Sequence, residues 1–276
     1  MIILLITVGL FAYFFATNAT IRHELSQTSL SIVALLLLLY VGTIAALMMV
    51  TAAALRLCHV QLTKRDNLLL NAYTTVINFF GPLQSGPAFR AVYLKRKYHL
   101  DLKKYAVATL AYYLFFALIS GVFLLSGVLK WWLIPLILLS LLGIYSLRRQ
   151  HYVAQRLRAV DLRGWYYLAG ATLVQLSLVA TIYYIELHTL SPNITLSQAI
   201  IYTGAANFAL FVSLTPGAIG FRETFLVFTK HLHHISNNLI ISANILDRAM
   251  YLLLLLLLAV FLLLTHGRNQ LTPKDP

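Results

Sequence analysis

The chain has 276 residues, 60% of them hydrophobic and only 11% charged, with a mean hydropathy of +0.81, whereas a soluble domain carries about 25% charged and about 45–50% apolar residues. That balance excludes a soluble globular fold and identifies an integral membrane protein. The formal net charge of +13 does not call for a nucleic-acid partner, because most of it sits in short loops between apolar segments, where topology and anionic lipid heads account for it.

The apolar runs approach or exceed the roughly 20 residues an α-helix needs to cross the hydrocarbon, and no segment shows the ten-residue alternation of a barrel strand. The expected fold class is therefore all-α: a polytopic transmembrane helix bundle forming a single domain over residues 1–276. Helix about 2–17 has no Lys or Arg ahead of it and no small-residue cleavage site behind it, so it is read as a retained first helix. Helix about 29–57 returns it to the first side. The basic loops follow one pattern: Arg56, Lys64 and Arg65; then Arg90, Lys95, Arg96, Lys97, Lys103 and Lys104; then Arg148, Arg149, Arg156, Arg158 and Arg163; then Arg268 and Lys274 in the tail. The opposite side holds Arg22, Lys130 and Lys230. By the positive-inside rule both termini and the basic loops are cytoplasmic, in a cell (inner) membrane.

That orientation constrains the remaining segments. Segment about 67–82 begins and ends against cytoplasmic loops, so it must dip in and return, giving a re-entrant hairpin over about 67–94. Helices about 102–127, 131–147 and 164–187 then go out, back and out. A second re-entrant hairpin, about 197–230, enters from outside and breaks at "TPGAIG", and helix about 238–265 brings the tail inside.

The two hairpins echo one another: "PLQSGPAFR" (Pro82 to Arg90) and "PGAIGFR" (Pro216 to Arg222) both read Pro-x-x-x-Gly followed by Phe-Arg, with two extra residues in the first. Opposite entry and a shared break are the arrangement of inverted repeats whose broken helices form a substrate site. The breaks, at Pro82 and Gly86 and at Pro216, Gly217 and Gly220, free the first N–H groups of the following helix. Those donors, with the helix dipole, suit an anion such as phosphate. Arg90 and Arg222 add planar donor forks that match phosphate or carboxylate.

In the last helix Asn244, Asp247, Arg248 and Tyr251 recur at i, i+3, i+4 and i+7, one polar stripe on a nearly pure Leu helix. Ionisable groups at that depth face the bundle interior. The expected pairings are Glu223 with Arg248 and Asp247 with Arg222. Counting Arg90, Arg222, Arg248, Glu223 and Asp247 gives 3 − 2 = +1, a cluster that accepts an anion.

Other polar groups have plainer readings. Tyr105, Thr109 and Tyr112, and Thr172, Gln175 and Ser177, suit interhelical hydrogen bonds. His231, His233 and His234 fall in a solvated external loop without an acidic neighbour, so no metal is expected there. Trp131, Trp132, Trp165, Tyr166 and Tyr167 flank helix starts as interface anchors. Asn18 and Asn193 begin external glycosylation triplets, relevant only to a eukaryotic secretory route. Cys58 is alone, which excludes an intrachain disulfide and a thiolate metal cluster. No cofactor is expected, and no P-loop for ATP is present.

Arg56 at the close of the second helix, "NFFGPLQSGPAFRAVYLKRK", "TPGAIGFRE", and Arg248 with Tyr251 together resemble the lysylphosphatidylglycerol synthase transmembrane family over nearly the whole chain. The family usually has two glycines after its second proline, where this chain has Gly217-Ala218, and a Val or similar residue where this chain has Arg222. The resemblance implies a flippase-like domain that moves lipids, including polyprenyl-linked or hopanoid-type ones in stand-alone members. The soluble aminoacyl-transfer domain of the bifunctional members would follow the membrane region, and the chain ends at Pro276, so no synthesis is expected from it.

The combined expectation is a non-enzymatic lipid transporter that passes an anionic or phosphate-containing head group between leaflets. Its site residues are Arg90, Arg222, Glu223, Asp247, Arg248 and Tyr251. Its partners are membrane lipids and a cell-envelope lipid-synthesis enzyme, with oligomerisation compatible and no nucleic acid. Two alternatives stand beside it. A membrane-embedded lipid-phosphate transferase would need paired carboxylates, and no Asp-x-x-x-Asp pair or His–Glu motif lies on one helix face. An assembly partner of a cell-envelope enzyme would use the charged cluster for structure alone.

Overall fold

The computed structural model describes residues 28–80, 85–128, 162–212 and 220–271. Among the described residues every regular element is helical: α1 (Leu30–Leu57), α2 (Lys64–Phe80), α3 (Gly86–Tyr98), α4 (Leu102–Leu125), α5 (Leu162–Leu190), α6 (Leu196–Val212), α7 (Phe221–Phe228), α8 (Lys230–His233) and α9 (Asn237–Leu271). Four of them contain stretches long and apolar enough to cross a membrane: Leu30–Leu57, Leu102–Leu125, Arg163–Leu190 and Asn237–Thr265. The all-α membrane bundle is thus the fold. The expected helices about 2–17 and 131–147 lie outside the described residues, as do Pro82, Pro216 and Gly217.

The long helices pack along shared apolar faces. α1 lies along α5, and between the N-terminal half of α1 and the C-terminal half of α5 Leu36, Tyr40, Ile44 and Ile182 close over Leu246, Met250 and Leu254 of α9. At the other end of α1, Val50, Ala53, Ala54 and Leu55 pack with Leu94, Tyr105 and Leu168. α6 approaches α4 so closely that a Cβ on Gly204 would fall on the Leu124 amide and within 2.7 Å of Leu124 Cα and Ser120 O. Small residues let helix backbones touch where hydrocarbon solvent offers no hydrophobic drive for association.

α2 and α3 pack on one another as one helical hairpin, and α6 packs on α7 and α8 as a second. In the first, Lys97 at the end of α3 donates to Asp66 at the start of α2, 2.9 Å, and Tyr98 donates to the same carboxylate. At the opposite end Gly86 sits against Thr74 and Asn78, where a Cβ would come within 2.7 Å of Thr74 Cγ2. In the second, Phe208 of α6 stacks on Phe225 of α7, and Tyr202 meets the His233 ring edge-on at 5.8 Å. α2 and α6 each have 17 residues. At 1.5 Å per residue that is about 25 Å, short of the roughly 30 Å hydrocarbon core.

Loop ends are fixed locally. Asp101 caps α4 by accepting from the amides of Lys103 (2.9 Å) and Lys104 (3.4 Å). The Tyr98 and Lys97 bonds hold the Asp66 carboxyl below the usual carboxylate range.

Candidate functional site

One stretch of α9 receives both hairpins. Asp247 accepts from Arg222 of α7 at 2.5 Å through Oδ2 and from the Tyr40 hydroxyl of α1 at 2.6 Å through Oδ1. The other arm of Arg222 donates to the Tyr183 hydroxyl of α5, 3.2 Å. One residue on, Arg248 donates through Nε (3.2 Å) and Nη2 to Oε1 of Glu223. A turn later Tyr251 meets Tyr40 at 6.0 Å and Phe79, next to the end of α2, at 5.7 Å between ring centroids. The i, i+1, i+4 spacing thus brings Asp247 to Tyr40 of α1 and Arg222 of α7, Arg248 to Glu223 of α7, and Tyr251 to Tyr40 and to Phe79 of α2. The pairings expected from sequence, Glu223 with Arg248 and Asp247 with Arg222, are both present.

Glu223 does two jobs at the start of α7. Gly220 has φ 81°, a left-handed conformation that Gly adopts without the steric cost of a Cβ, and nothing lies within 4 Å of where that Cβ would be. The turn lets the Glu223 carboxylate reach back, so Oε2 accepts from the Gly220 amide at 2.8 Å while Oε1 binds Arg248. A carboxylate therefore occupies the position at which a helix N-terminus favours an anion. At α3 the corresponding Gly86 amide donates to Asn78 Oδ1, 3.1 Å.

Arg90 is not part of this cluster. Its Nη2 donates to Asn71 Oδ1 at 3.2 Å, an oxygen that also accepts from Thr51 at 3.0 Å. The amide of Asn71 continues to Asn67 (2.7 Å to Oδ1), which in turn holds the Met48 carbonyl. Thr51 and Tyr40 are eleven residues apart on α1, about 16 Å along the axis and nearly on one face. The structure thus stacks two polar centres along α1, Arg90–Asn71 toward Arg56 and Arg222–Asp247 toward Leu30. Beyond Asn67, a cavity of about 740 Å³ opens at the end of α1, lined by Arg56, His59, Gln61 and Asn67 with Leu55 and Leu62.

Glu186 is the residue that sequence reasoning missed. It is 1% exposed and its Oε1 lies 3.3 Å from the Tyr40 hydroxyl. The sequence signal was there, since an acidic group inside an apolar span is itself a functional flag. Glu186 changes the charge count, because Arg222 and Arg248 against Glu223, Asp247 and Glu186 give 2 − 3 = −1 when all are ionised.

Tyr112 donates to Gln175 across α4 and α5 at 3.1 Å, an interhelical bond of the expected kind. His233, expected in a solvated loop, is instead fully buried: Nδ1 accepts from the Ile235 amide (3.1 Å), which leaves Nε2 to donate to the Leu226 carbonyl (3.1 Å). It is a structural tie closing the second hairpin, and burial pushes its imidazole below the usual range.

The family model for the lysylphosphatidylglycerol synthase TM region matches residues 1–259. The chain belongs to that family. Both hairpins and the Asp247–Tyr251 stretch fall inside the matched region, so the site described above is built wholly from the family's membrane domain. No curated protein and no solved structure matches the chain.

Proposed function

We propose that this member of the lysylphosphatidylglycerol synthase TM region family is a lipid flippase, passing an anionic or phosphate-containing head group between leaflets of the cell membrane. The head group is that of a phospholipid, an aminoacyl-phospholipid or a polyprenyl-phosphate-linked lipid. The observation that carries this reading is the Glu223 carboxylate seated at the N-terminus of α7 and clamped by Arg248. A group that can hold a carboxylate by one helix N-terminal amide and a guanidinium fork can hold a phosphate by the same donors. Lipid phosphate displaces Glu223, and the freed carboxylate re-forms the clamp when the lipid leaves.

Buried donors without partners point the same way: Nε of Arg90, Nε of Arg222 and Nδ2 of Asn207. Buried donors are almost always satisfied, so each one calls for an acceptor, which an anionic ligand supplies. In this proposal the cavity beside Arg56 and Asn67 admits the head group from the cytoplasmic leaflet, and the Asn67–Asn71–Arg90 chain leads it inward. The hairpins are re-entrant, entering from opposite sides, and the acyl or prenyl tails stay in the bilayer. Both termini are cytoplasmic, the chain acts as one domain without enzymatic chemistry, and a lipid-synthesis enzyme of the cell envelope is the natural partner.

The test is leaflet exchange of head-group-labelled phosphatidylglycerol in liposomes. Wild type is expected to exceed protein-free liposomes, and Glu223→Ala with Arg248→Ala, which removes one charge of each sign, to lose at least about tenfold, equivalent to about 1.4 kcal/mol. Wild-type exchange no faster than in protein-free liposomes, or unchanged exchange by a well-folded double variant, would falsify transport. Chemical conversion of the lipid without exchange would establish a transferase.

A further inference from the structure

Glu186 has no role in that reading, yet it is a carboxyl 1% exposed within a helix that crosses the membrane. Hydrogen counting decides its state. The Tyr40 hydroxyl has one hydrogen and two carboxyl oxygens within reach, Asp247 Oδ1 at 2.6 Å and Glu186 Oε1 at 3.3 Å. The short contact, to a carboxylate already paired with Arg222, takes that hydrogen. The contact with Glu186 is then attractive only when a second hydrogen lies on Glu186 and is donated to the phenol oxygen. The Tyr40 contact is the one hydrogen bond the Glu186 side chain makes among the described residues.

Charge counting agrees. The titratable and charged groups that act on Glu186 are Tyr40 on α1, Tyr183 on its own helix, Tyr202 on α6, Arg222 on α7 and Asp247 on α9, with the Arg248–Glu223 pair and Tyr251 flanking Asp247 and Tyr40. α4 meets α5 a long way along the helix, at Tyr112 and Gln175, and His188 stacks on Tyr184. Both cations are already paired, Arg222 with Asp247 and Arg248 with Glu223. An ionised Glu186 would be a third carboxylate against two guanidinium groups in a water-poor interior, and a buried group in that position neutralises instead.

We propose that Glu186 is a proton-binding site, holding its acid proton at neutral pH in a relay Glu186–Tyr40–Asp247–Arg222. On release the O–H bond breaks, its electron pair stays on the carboxylate, and the proton passes to water, which changes the cluster from neutral to −1. A site that changes charge between two paired ion bridges is placed to couple proton movement to whatever opens those bridges. The proton site itself does not depend on lipid being the cargo.

The decisive measurement is the infrared spectrum of the full chain in lipid nanodiscs at neutral pH, wild type against Glu186→Gln. Wild type is expected to show the carbonyl band of a protonated, hydrogen-bonded carboxylic acid, shifted in heavy water and missing from the variant. No such band, or one that persists in Glu186→Gln, overturns the proposal. Tyr40→Phe gives an independent reading should Glu186→Gln fail to fold. Loss of the acceptor should move the band to higher frequency, and an unmoved band is equally fatal. The band together with no leaflet exchange in liposomes would support the proton site and sink the transport reading separately.

Discussion

Arg222 is 6% exposed, and its charge is tolerated there because Asp247 and Tyr183 take both ends of its guanidinium fork. Removing one partner of such a buried pair leaves a bare charge and costs about 3–5 kcal/mol, whereas removing both charges is often nearly neutral. Arg222→Val alone should therefore lower the melting temperature sharply. Adding Asp247→Asn should recover most of the loss, with the Tyr40 hydroxyl still able to donate to the amide oxygen. Thermal unfolding of the purified single and double variants checks this, and a double variant no better than the single would mean that Asp247 is held by something other than Arg222. The pair itself was legible in the sequence because i, i+3, i+4, i+7 spacing fixes which side chains share a face. Glu186 carried the signal of an acidic group inside an apolar span, but its partners were not legible, since they depend on how close α1 and α9 bring Tyr40 and Asp247.

The second hairpin is seated against α4 by close backbone approach. Gly204 of α6 has no room for a side chain, because Leu124 main-chain atoms stand where its Cβ would be, and backbone yields far less than a flexible side-chain end. Gly204→Val is expected to destabilise the protein by about 1–3 kcal/mol or more, the usual range for overpacking. Gly121→Ala, where nothing lies within 4 Å of the added carbon, should be harmless. Melting temperatures of both variants decide it, and equal effects would remove the α4–α6 contact as the cause. Helix boundaries of the long spans were close to the sequence expectation because continuous apolar length defines them. The burial of His233 was not foreseeable, since three histidines and a lysine in five residues read as surface until Leu226 and Ile235 are seen to close around one of them.

For the whole molecule the charge asymmetry demands that the turn after α3 and the turn between α7 and α9 face opposite compartments. Lys95, in the last turn of α3, and Lys230, the first residue of α8, are exposed next to those two places. In a Cys58→Ser background, Lys95→Cys and Lys230→Cys introduced singly should react with a membrane-impermeant maleimide from opposite sides of sealed vesicles. Reaction from the same side would end the inverted arrangement of the two hairpins.

The sequence by itself determined the solvent, the helical class, the family and the charged partners on α9, because apolar length, loop charge and helical spacing are all local properties of the chain. Only the tertiary structure decided that Arg90 and Arg222 belong to separate centres, that Glu223 fills the anion position at α7, and that Glu186 joins Tyr40 and Asp247. Each of these depends on which helices lie side by side and at what axial offset, and that is set by packing between faces far apart in sequence.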